Sequence, residues 1–286
     1  MVKSLAHIIT IFYNWNIYNY KEHIMAYKPE VKPVQSVYHA LQLFEVFRNA
    51  ENKDEFGVTE LSKSLGLHKN NVFRLLATLA SRGYIEQNLN TENYRLGIGI
   101  FNLGQKFVNK LGILKLSRPF MEKIVSEVNE SVYIGILREG NVIYLDIAET
   151  QLPVRVISRV GKDVPAYCTA IGKVQLAYSS EEEINKIYMG ARLKRYTDLT
   201  VTSLPVLKKE LKQVAAENYA FDNEEFENRV RCIAVPIKDY LGVPVAALSV
   251  TGPACRMTQE RMEKEILPVA RKYAREISKR LGFQEA

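Results

Sequence analysis

Four polar residues, Lys69, Asn70, Asn71 and Arg74, have the types and the spacing of side chains that can read the edges of DNA bases. Asparagine can make two hydrogen bonds to adenine, and arginine can make two to guanine. Backbone amides at the start of a helix can also bind a phosphate. The stretch 61–85 contains no Asp or Glu, so its polar surface is basic. A helix beginning at Lys69 would present these side chains to DNA. For an isolated helix, however, such polar residues more often form a face that contacts only solvent.

Three predicted helices position this basic face. Apolar residues at helical spacing predict a first helix over residues 34–49. A short second helix has Thr59 as its expected N-cap, and Gly66 suits the left-handed residue that ends it. The third helix runs over residues 69–81 and carries the basic face. A short helix, a glycine turn and a basic helix in this order favour DNA contact over a solvated face.

A hairpin follows the third helix. Residues 84–87 and 94–96 are predicted strands around a polar turn, so that the region reads as a winged helix-turn-helix. Arg95 in the second strand is predicted to reach a phosphate, and an ordinary surface charge is an equally weighted alternative.

Length and composition allow two domains. The 286 residues are 47% hydrophobic, which is enough for two folded cores, and the net charge of +7 favours a polyanionic partner. An apolar run near the N-terminus is too short to span a bilayer, and Met25 is a candidate for the physiological start. We predict four regions: an N-terminal arm over 1–30, a winged helix-turn-helix over 31–97, a linker helix over 98–115 and a second domain over 116–286.

The second domain combines strands and helices without strict alternation, which predicts an α+β fold with an antiparallel sheet. The predicted strands are 132–137, 142–147, 154–160, 232–238 and 243–251. A closing helix over 258–281 contains Pro268, where we expect a kink.

The chain offers few groups for catalysis. Its cysteines, Cys168, Cys232 and Cys255, show no disulfide or metal spacing and suit a reducing cytoplasm. No histidine lies beyond His68, so a nucleophilic cysteine in the second domain would lack a histidine base. Lys173 is a conceivable base, but no feature of the sequence places it in a catalytic arrangement. No phosphate-binding, dinucleotide-binding or metal-binding motif occurs, and no cofactor is expected. A pocket that binds without reacting fits better, while an enzyme using Cys168 and Cys232 remains an alternative.

The chain resembles the IclR family of bacterial and archaeal transcriptional regulators from about Gln35 to Leu281. In the first domain the resemblance depends on QSVYHALQLFEVF, VTELSKSLGL and VFRLLATLASRGYIEQ. In the second domain it depends on VPAYCTAIGKVQLA, YAFDNEEFENRVRCIAVPI and VAALSVTGP, which are the more specific segments.

The resemblance implies a GAF-like effector-binding domain with a six-stranded antiparallel sheet. It also implies a homodimer, often assembled into a tetramer, that binds operator DNA and controls a catabolic operon as a repressor or an activator. The effector would be a small organic or aromatic acid. Its carboxylate would meet the backbone amides of Ala170 and Ile171, and other family positions match Val156, Val164, Asp222, Cys232, Ser249 and Thr251.

Two departures from the family pattern concern specificity. Many relatives have Ser in place of Thr251 and Ser-Thr in place of Asn70-Asn71, so neither the effector nor the operator sequence can be transferred. Asp222 is an awkward neighbour for an anion unless it is protonated or meets a hydroxyl of the effector, and capping the turn at Asn223 is its structural alternative. A nucleic-acid-binding architectural protein with a vestigial pocket is a further alternative.

Overall fold

The chain divides into two units between Gly112 and Ile113. The computed structural model describes residues 32–50, 53–110, 112–158, 160–161, 163–188, 190 and 192–284. The predicted N-terminal arm, residues 1–30, and the candidate start at Met25 lie outside the described residues. No described helix is long and apolar enough to cross a membrane.

The first unit is built on three helices: α1 (Gln35–Asn49), α2 (Val58–Leu65) and α3 (Lys69–Ala80). The prediction of Thr59 as an N-cap is wrong, because the helix begins at Val58, two residues earlier than that cap would allow. Gly57 is the N-cap, and its carbonyl accepts the N–H groups of Glu60 and Leu61. Gly66 ends α2 with a φ of 64°, which confirms the predicted left-handed turn between α2 and α3.

The wing consists of β1 (Ile85–Gln87) and β2 (Tyr94–Leu96), which pair antiparallel. The core beneath it holds one side chain or more from every element of the helix-turn-helix: Leu43, Phe47, Phe56, Leu61, Val72, Leu76, Ile85 and Tyr94. This packing fixes α3 against the wing and leaves its opposite side open.

The predicted linker helix, 98–115, corresponds to α4 (Ile98–Lys110), and α5 (Ile113–Val128) begins three residues later. The second unit starts with α5.

The elements of the second unit after α5 are β3 (Ser131–Arg138), β4 (Asn141–Ala148), β5 (Asp163–Pro165), α6 (Ala170–Leu176), α7 (Glu181–Tyr188), α8 (Leu204–Glu217), β6 (Ala220–Asn223), β7 (Val230–Lys238), β8 (Pro244–Pro253), α9 (Gln259–Arg261) and α10 (Leu267–Arg280). The strands form a six-stranded antiparallel sheet with the order β5-β4-β3-β8-β7-β6. Helices α5 and α10 pack against each other and against strands of this sheet, and α6 packs against β3, β7 and β8. Side chains of α6 and α8 share one core cluster with alternate residues of the strands, such as Tyr133, Ala234 and Ala247.

The predicted strand over 154–160 is wrong. The described part of that segment is irregular, and Val154 and Ile157 are 66% and 72% exposed. The edge strand is instead Asp163–Pro165, which pairs with the start of β4. Alternating apolar residues suggested a strand, but the segment has no neighbouring strand with which to form a ladder.

Strand β6 (Ala220–Asn223) was not predicted, because four residues ending in Asp-Asn lack a strand pattern. The closing helix is regular only in parts. A π-helical turn, Met262–Ile266, ends two residues before Pro268, and the N–H of Leu267 donates to the carbonyl of Met262, five residues back. The wider turn accommodates the proline at the point where we expected a kink.

Candidate functional site

A cavity of about 50 Å³ lies in the second unit, on the face of the sheet that carries α6. All eight side chains or amides that the family resemblance suggested line this cavity: Val156, Val164, Ala170, Ile171, Asp222, Cys232, Ser249 and Thr251. They come from β5, β6, β7, β8, α6 and the irregular segment before β5. The topology therefore collects residues that lie up to 95 positions apart in the sequence.

Strand register forms the polar floor of the cavity. Asp222 lies opposite Cys232, and Cys232 lies opposite Thr251, so that three neighbouring strands place these side chains in one row. Ser249 is two residues from Thr251 on the same face, and their hydroxyl oxygens are 3.4 Å apart. Tyr133 lies opposite Ser249 on the next strand.

The start of α6 supplies backbone donors. Its N-cap, Thr169, gives no side-chain cap, because its hydroxyl donates to the carbonyl of Pro165 at 3.0 Å. The first turn of α6 thus has no side-chain cap, and its first two residues, Ala170 and Ile171, both line the cavity. Gly172 brings this turn close to the chain before it, because a Cβ there would lie 2.2 Å from the carbonyl oxygen of Ala166.

The apolar walls come from Val164 in β5 and Val156 in the irregular segment. Val164 is 2% exposed. The segment that carries Val156 is held by two hydrogen bonds to its backbone. The hydroxyl of Tyr133 donates to the carbonyl of Val156 at 3.0 Å, and Arg256 donates to the carbonyl of Val154 at 2.9 Å. Side chains of the sheet and of the loop after β8 therefore fix this wall.

Asp222 is buried, with 3% of its surface exposed. Burial raises its pKa to about 7, and the nearby charge of Glu225 adds to the increase. Its Oδ1 accepts the backbone N–H of Glu225 at 2.8 Å, so it also caps the turn after β6, as its structural alternative required. A carboxyl that both lines a cavity and titrates near neutrality can serve as acceptor or donor toward a ligand.

None of the described residues that line the cavity is Lys, Arg or His. Arg231 does not line the cavity and pairs with Glu224 at 3.2 Å. Arg229 does not line the cavity either. Among the described lining residues, a bound carboxylate would therefore meet amide and hydroxyl dipoles.

A buried ion cluster lies beside the cavity. Lys173 in α6 has no exposed surface, and its Nζ lies 2.6 Å from Glu210 and 2.5 Å from Glu225. Although burial opposes its charge, the two carboxylates raise the pKa of Lys173 overall. Nothing in the sequence indicates a partner for this residue, yet the fold holds it as an ammonium ion that joins α6, α8 and the loop after β6.

Several cavity residues were not predicted from the sequence. They are Tyr133, Tyr144, Ile157, Ser158, Thr169, Phe226, Glu227 and Val230. Alternation along the hairpin could have suggested Tyr133, which shares a face with the cavity row. No local signal marks Phe226 or Glu227, since they lie in a loop whose path depends on the ion cluster.

The two cysteines of the enzymatic alternative differ in position. Cys232 lines the cavity, and Cys168 does not. Burial raises the pKa of both thiols. A thiol whose pKa is raised is a poor nucleophile, because the thiolate is the reactive form.

In the first unit, Lys69, Asn70, Asn71 and Arg74 are all exposed on α3. Neither Lys69 nor Arg74 takes part in an ion pair with another described residue. His68 caps α3, since its Nδ1 accepts the N–H of Asn70 at 3.4 Å. The four predicted side chains are thus accessible around the N-terminal half of α3, and Asn70 and Arg74, four residues apart, share the side opposite the buried Val72 and Leu76.

Arg95 differs from these four. Its Nε lies 2.6 Å from Glu86, and its Nη1 lies 3.6 Å from Glu55. A phosphate would have to replace these carboxylates, which makes Arg95 the weakest of the predicted DNA contacts.

The helix-turn-helix and the cavity domain each match a known family. Residues 36–89 match the IclR helix-turn-helix domain, and residues 105–279 match the bacterial transcriptional regulator IclR C-terminal domain. The HTH-type transcriptional regulator KdgR of Escherichia coli (strain K12) is 34% identical over 254 residues, which cover 89% of this chain and 96% of KdgR. The HTH-type transcriptional repressor AllR of Salmonella typhi is 31% identical over 227 residues, which cover 79% of this chain and 83% of AllR.

A solved structure shows the same architecture. The crystal structure of the Thermotoga maritima IclR superposes with a TM-score of 0.72 at 28% identity, covering 88% of this chain and 100% of that one. The chain therefore belongs to the IclR family of transcriptional regulators, and it pairs a DNA-binding helix-turn-helix with an effector-binding domain.

Proposed function

We propose that this regulator represses a catabolic operon and that a small carboxylic acid, bound in the cavity of the second unit, changes its affinity for operator DNA. The observation that carries the effector proposal is the convergence of the eight family positions on one cavity. Repression is supported by similarity to AllR, which is named a repressor. In this proposal residues 31–97 bind DNA, 98–115 link the domains, and 116–286 bind the effector.

In this proposal, α3 is the helix that contacts the operator DNA. Lys69 and the amides at the start of the helix would meet phosphates, while Asn70, Asn71 and Arg74 would reach base edges in the major groove. Arg95 on the wing would contribute a phosphate contact once it leaves Glu86. In a dimer the two α3 helices would enter successive major grooves.

The effector would lie between the start of α6 and the floor of the sheet. Its carboxylate would accept from the amides of Ala170 and Ile171, and the hydroxyls of Ser249 and Thr251 would complete its hydrogen bonds. Asp222 would then face the anion in its neutral form or accept from a hydroxyl of the effector. When the carboxylate of the effector enters, its negative charge favours the neutral form of Asp222.

The cavity volume limits the size of the acid. About 50 Å³ holds roughly three to five water-sized volumes, whereas a dry cavity known to take up benzene measures about 150 Å³. A small aliphatic acid fits this geometry better than an aromatic acid.

Three features argue against catalysis by residues in or near the cavity. Both nearby thiols are disfavoured as nucleophiles, because burial raises their pKa. Lys173 is held charged by Glu210 and Glu225 and cannot act as a base. No histidine occurs after His68. The unpaired cysteines suit the cytoplasm, where a regulator meets DNA.

We further propose a homodimer formed through α1. Val34, Val37, Tyr38 and Leu41 are spaced as i, i+3, i+4 and i+7, and each is between 47% and 67% exposed. An apolar helical stripe of this kind can pair with its own copy across a two-fold axis. Assembly of dimers into a tetramer would follow the pattern of the family.

The test of the proposed function begins with a thermal-shift screen of the full chain against small aliphatic and aromatic acids. A ligand that binds only the folded state raises the melting temperature, and the increase grows with the ratio of the ligand concentration to its dissociation constant. Each acid that stabilises the protein is then added to a DNA-binding titration. If stabilising acids leave DNA affinity unchanged, or if the wild-type chain turns over the acid, the proposed function is wrong.

A further inference from the structure

Helix α3 carries an aromatic side chain that its own fold does not use. Phe73 is 55% exposed, although the residue before it, Val72, is fully buried. Phe73 is absent from the core cluster of the first unit and from the ring pairs formed among described residues. An exposed phenylalanine gains little of the burial energy that the same residue gains in a core.

The position of Phe73 places it among the predicted base contacts. It lies one turn after Lys69 and Asn70 and directly before Arg74, and all four are exposed. Residues i and i+3 or i+4 of a helix are neighbours on its surface, so Phe73 lies beside Asn70 and Lys69, and all three side chains are exposed. In a helix-turn-helix, the N-terminal half of this helix meets the base edges.

The chemistry of the major groove offers one apolar group to such a side chain. Thymine alone presents a methyl group at its groove edge, and apolar side chains contact it. The basic surroundings of Phe73, free of Asp and Glu over 61–85, favour DNA over an apolar protein partner.

We propose that Phe73 contacts the methyl group of a thymine in the operator and thereby adds a thymine preference to the polar contacts of Asn70 and Arg74. This inference rests on the proposed function, because it assumes that α3 enters the major groove. The contact would set sequence preference, while the flanking Lys69 would chiefly add affinity.

The test uses DNA selected from a random duplex pool by the full wild-type chain. In the selected site, each thymine is replaced in turn by deoxyuridine, which removes only the methyl group. Loss of one buried methyl lowers affinity on the order of fourfold. For the wild type, we expect deoxyuridine to lower affinity at one thymine per half-site. For Phe73→Ala, we expect no such decrease at that thymine, and for Phe73→Leu a smaller decrease than in the wild type.

Phe101→Ala is the matched control, because Phe101 is 59% exposed on α4, outside the recognition helix. It should keep the full deoxyuridine effect. The inference is overturned if the wild type binds its selected site specifically but tolerates every deoxyuridine. It is also overturned if Phe73→Ala changes the oligomeric state and leaves base preference intact, since Phe73 would then contact protein. Failure of the wild type to select any sequence would instead overturn the proposed function together with the inference.

Discussion

Replacement of Asp222 by Asn should change the pH dependence of stability in a defined direction. Burial raises the pKa of Asp222 from 3.8 to about 7. Folding therefore favours the protonated carboxyl, and the stability that this proton contributes is fully present below pH 3.8. It is lost as the pH rises through about 7.

The magnitude follows from the pKa difference. A difference of about three pH units corresponds to roughly 4 kcal/mol, at about 1.36 kcal/mol per unit. Asn cannot ionise, and its side-chain oxygen can still accept the N–H of Glu225, which Asp222 accepts at 2.8 Å. Asp222→Asn should therefore match the wild type at about pH 4 and exceed it by up to ~4 kcal/mol at about pH 8.

Thermal unfolding of the full chain, followed by far-UV circular dichroism across this pH range, measures the effect. For a domain of this size each kcal/mol moves the melting temperature by about 2–4 °C. The transition of the effector domain should therefore rise on the order of 10 °C in the variant at about pH 8. Asp163→Asn is the control, because Asp163 is exposed and a change there should leave the profile as it is.

The reasoning is refuted if the difference between Asp222→Asn and the wild type is the same at both ends of the pH range. It is also refuted if the variant is less stable at high pH, because Asp222 would then be stabilised in its ionised form.

Three further predictions concern the ion cluster, the DNA contact and the dimer. Lys173→Met should destabilise the effector domain by ~3–5 kcal/mol in urea unfolding, because it leaves Glu225 buried without its cation. Adding Glu225→Leu should restore part of the lost stability. An unchanged urea midpoint would mean that the ion cluster does not stabilise the domain. Arg74→Ala should weaken specific DNA binding by ~1–3 kcal/mol and relax base preference in a fluorescence titration, whereas an equal loss on random DNA would identify a phosphate contact. Leu41→Glu should convert dimers to monomers in sedimentation velocity, since a charge would enter the apolar stripe of α1; a dimer that persists would place the interface elsewhere.

The helix-turn-helix could be predicted closely from the sequence because its signals are local. Apolar spacing, a glycine with positive φ and a basic stretch each act within a few residues. The prediction of Thr59 as an N-cap failed because extended backbone at Gly57 starts the helix earlier, and a cap depends on dihedral angles that sequence does not display.

The effector domain was less accessible to local reasoning. Residues over 154–160 alternate as in a strand, but a strand needs a neighbour, and the chain returns to β4 only at Asp163. The cavity residues were identified through family resemblance, and sheet register explains why they meet.

The ion cluster shows the limit of sequence reasoning most clearly. Lys173, Glu210 and Glu225 are distant in sequence, and no spacing rule links them. Their contact depends on how α6, α8 and the loop after β6 pack, which is a property of the whole domain. The same loop places Phe226 and Glu227 at the cavity, so these residues could not be predicted either.

The central claim is that an acid in the cavity controls DNA binding. The most direct measurement is the affinity of the full chain for its selected DNA site, with and without a saturating acid taken from the thermal-shift screen. We predict that the acid changes the dissociation constant of the wild type by about 5-fold to 150-fold, the usual range of coupling between sites. Thr251→Val, which removes a cavity hydroxyl but leaves α3 intact, should reduce this response at the same acid concentration. An acid that binds the wild type while the dissociation constant for DNA stays the same would contradict the account.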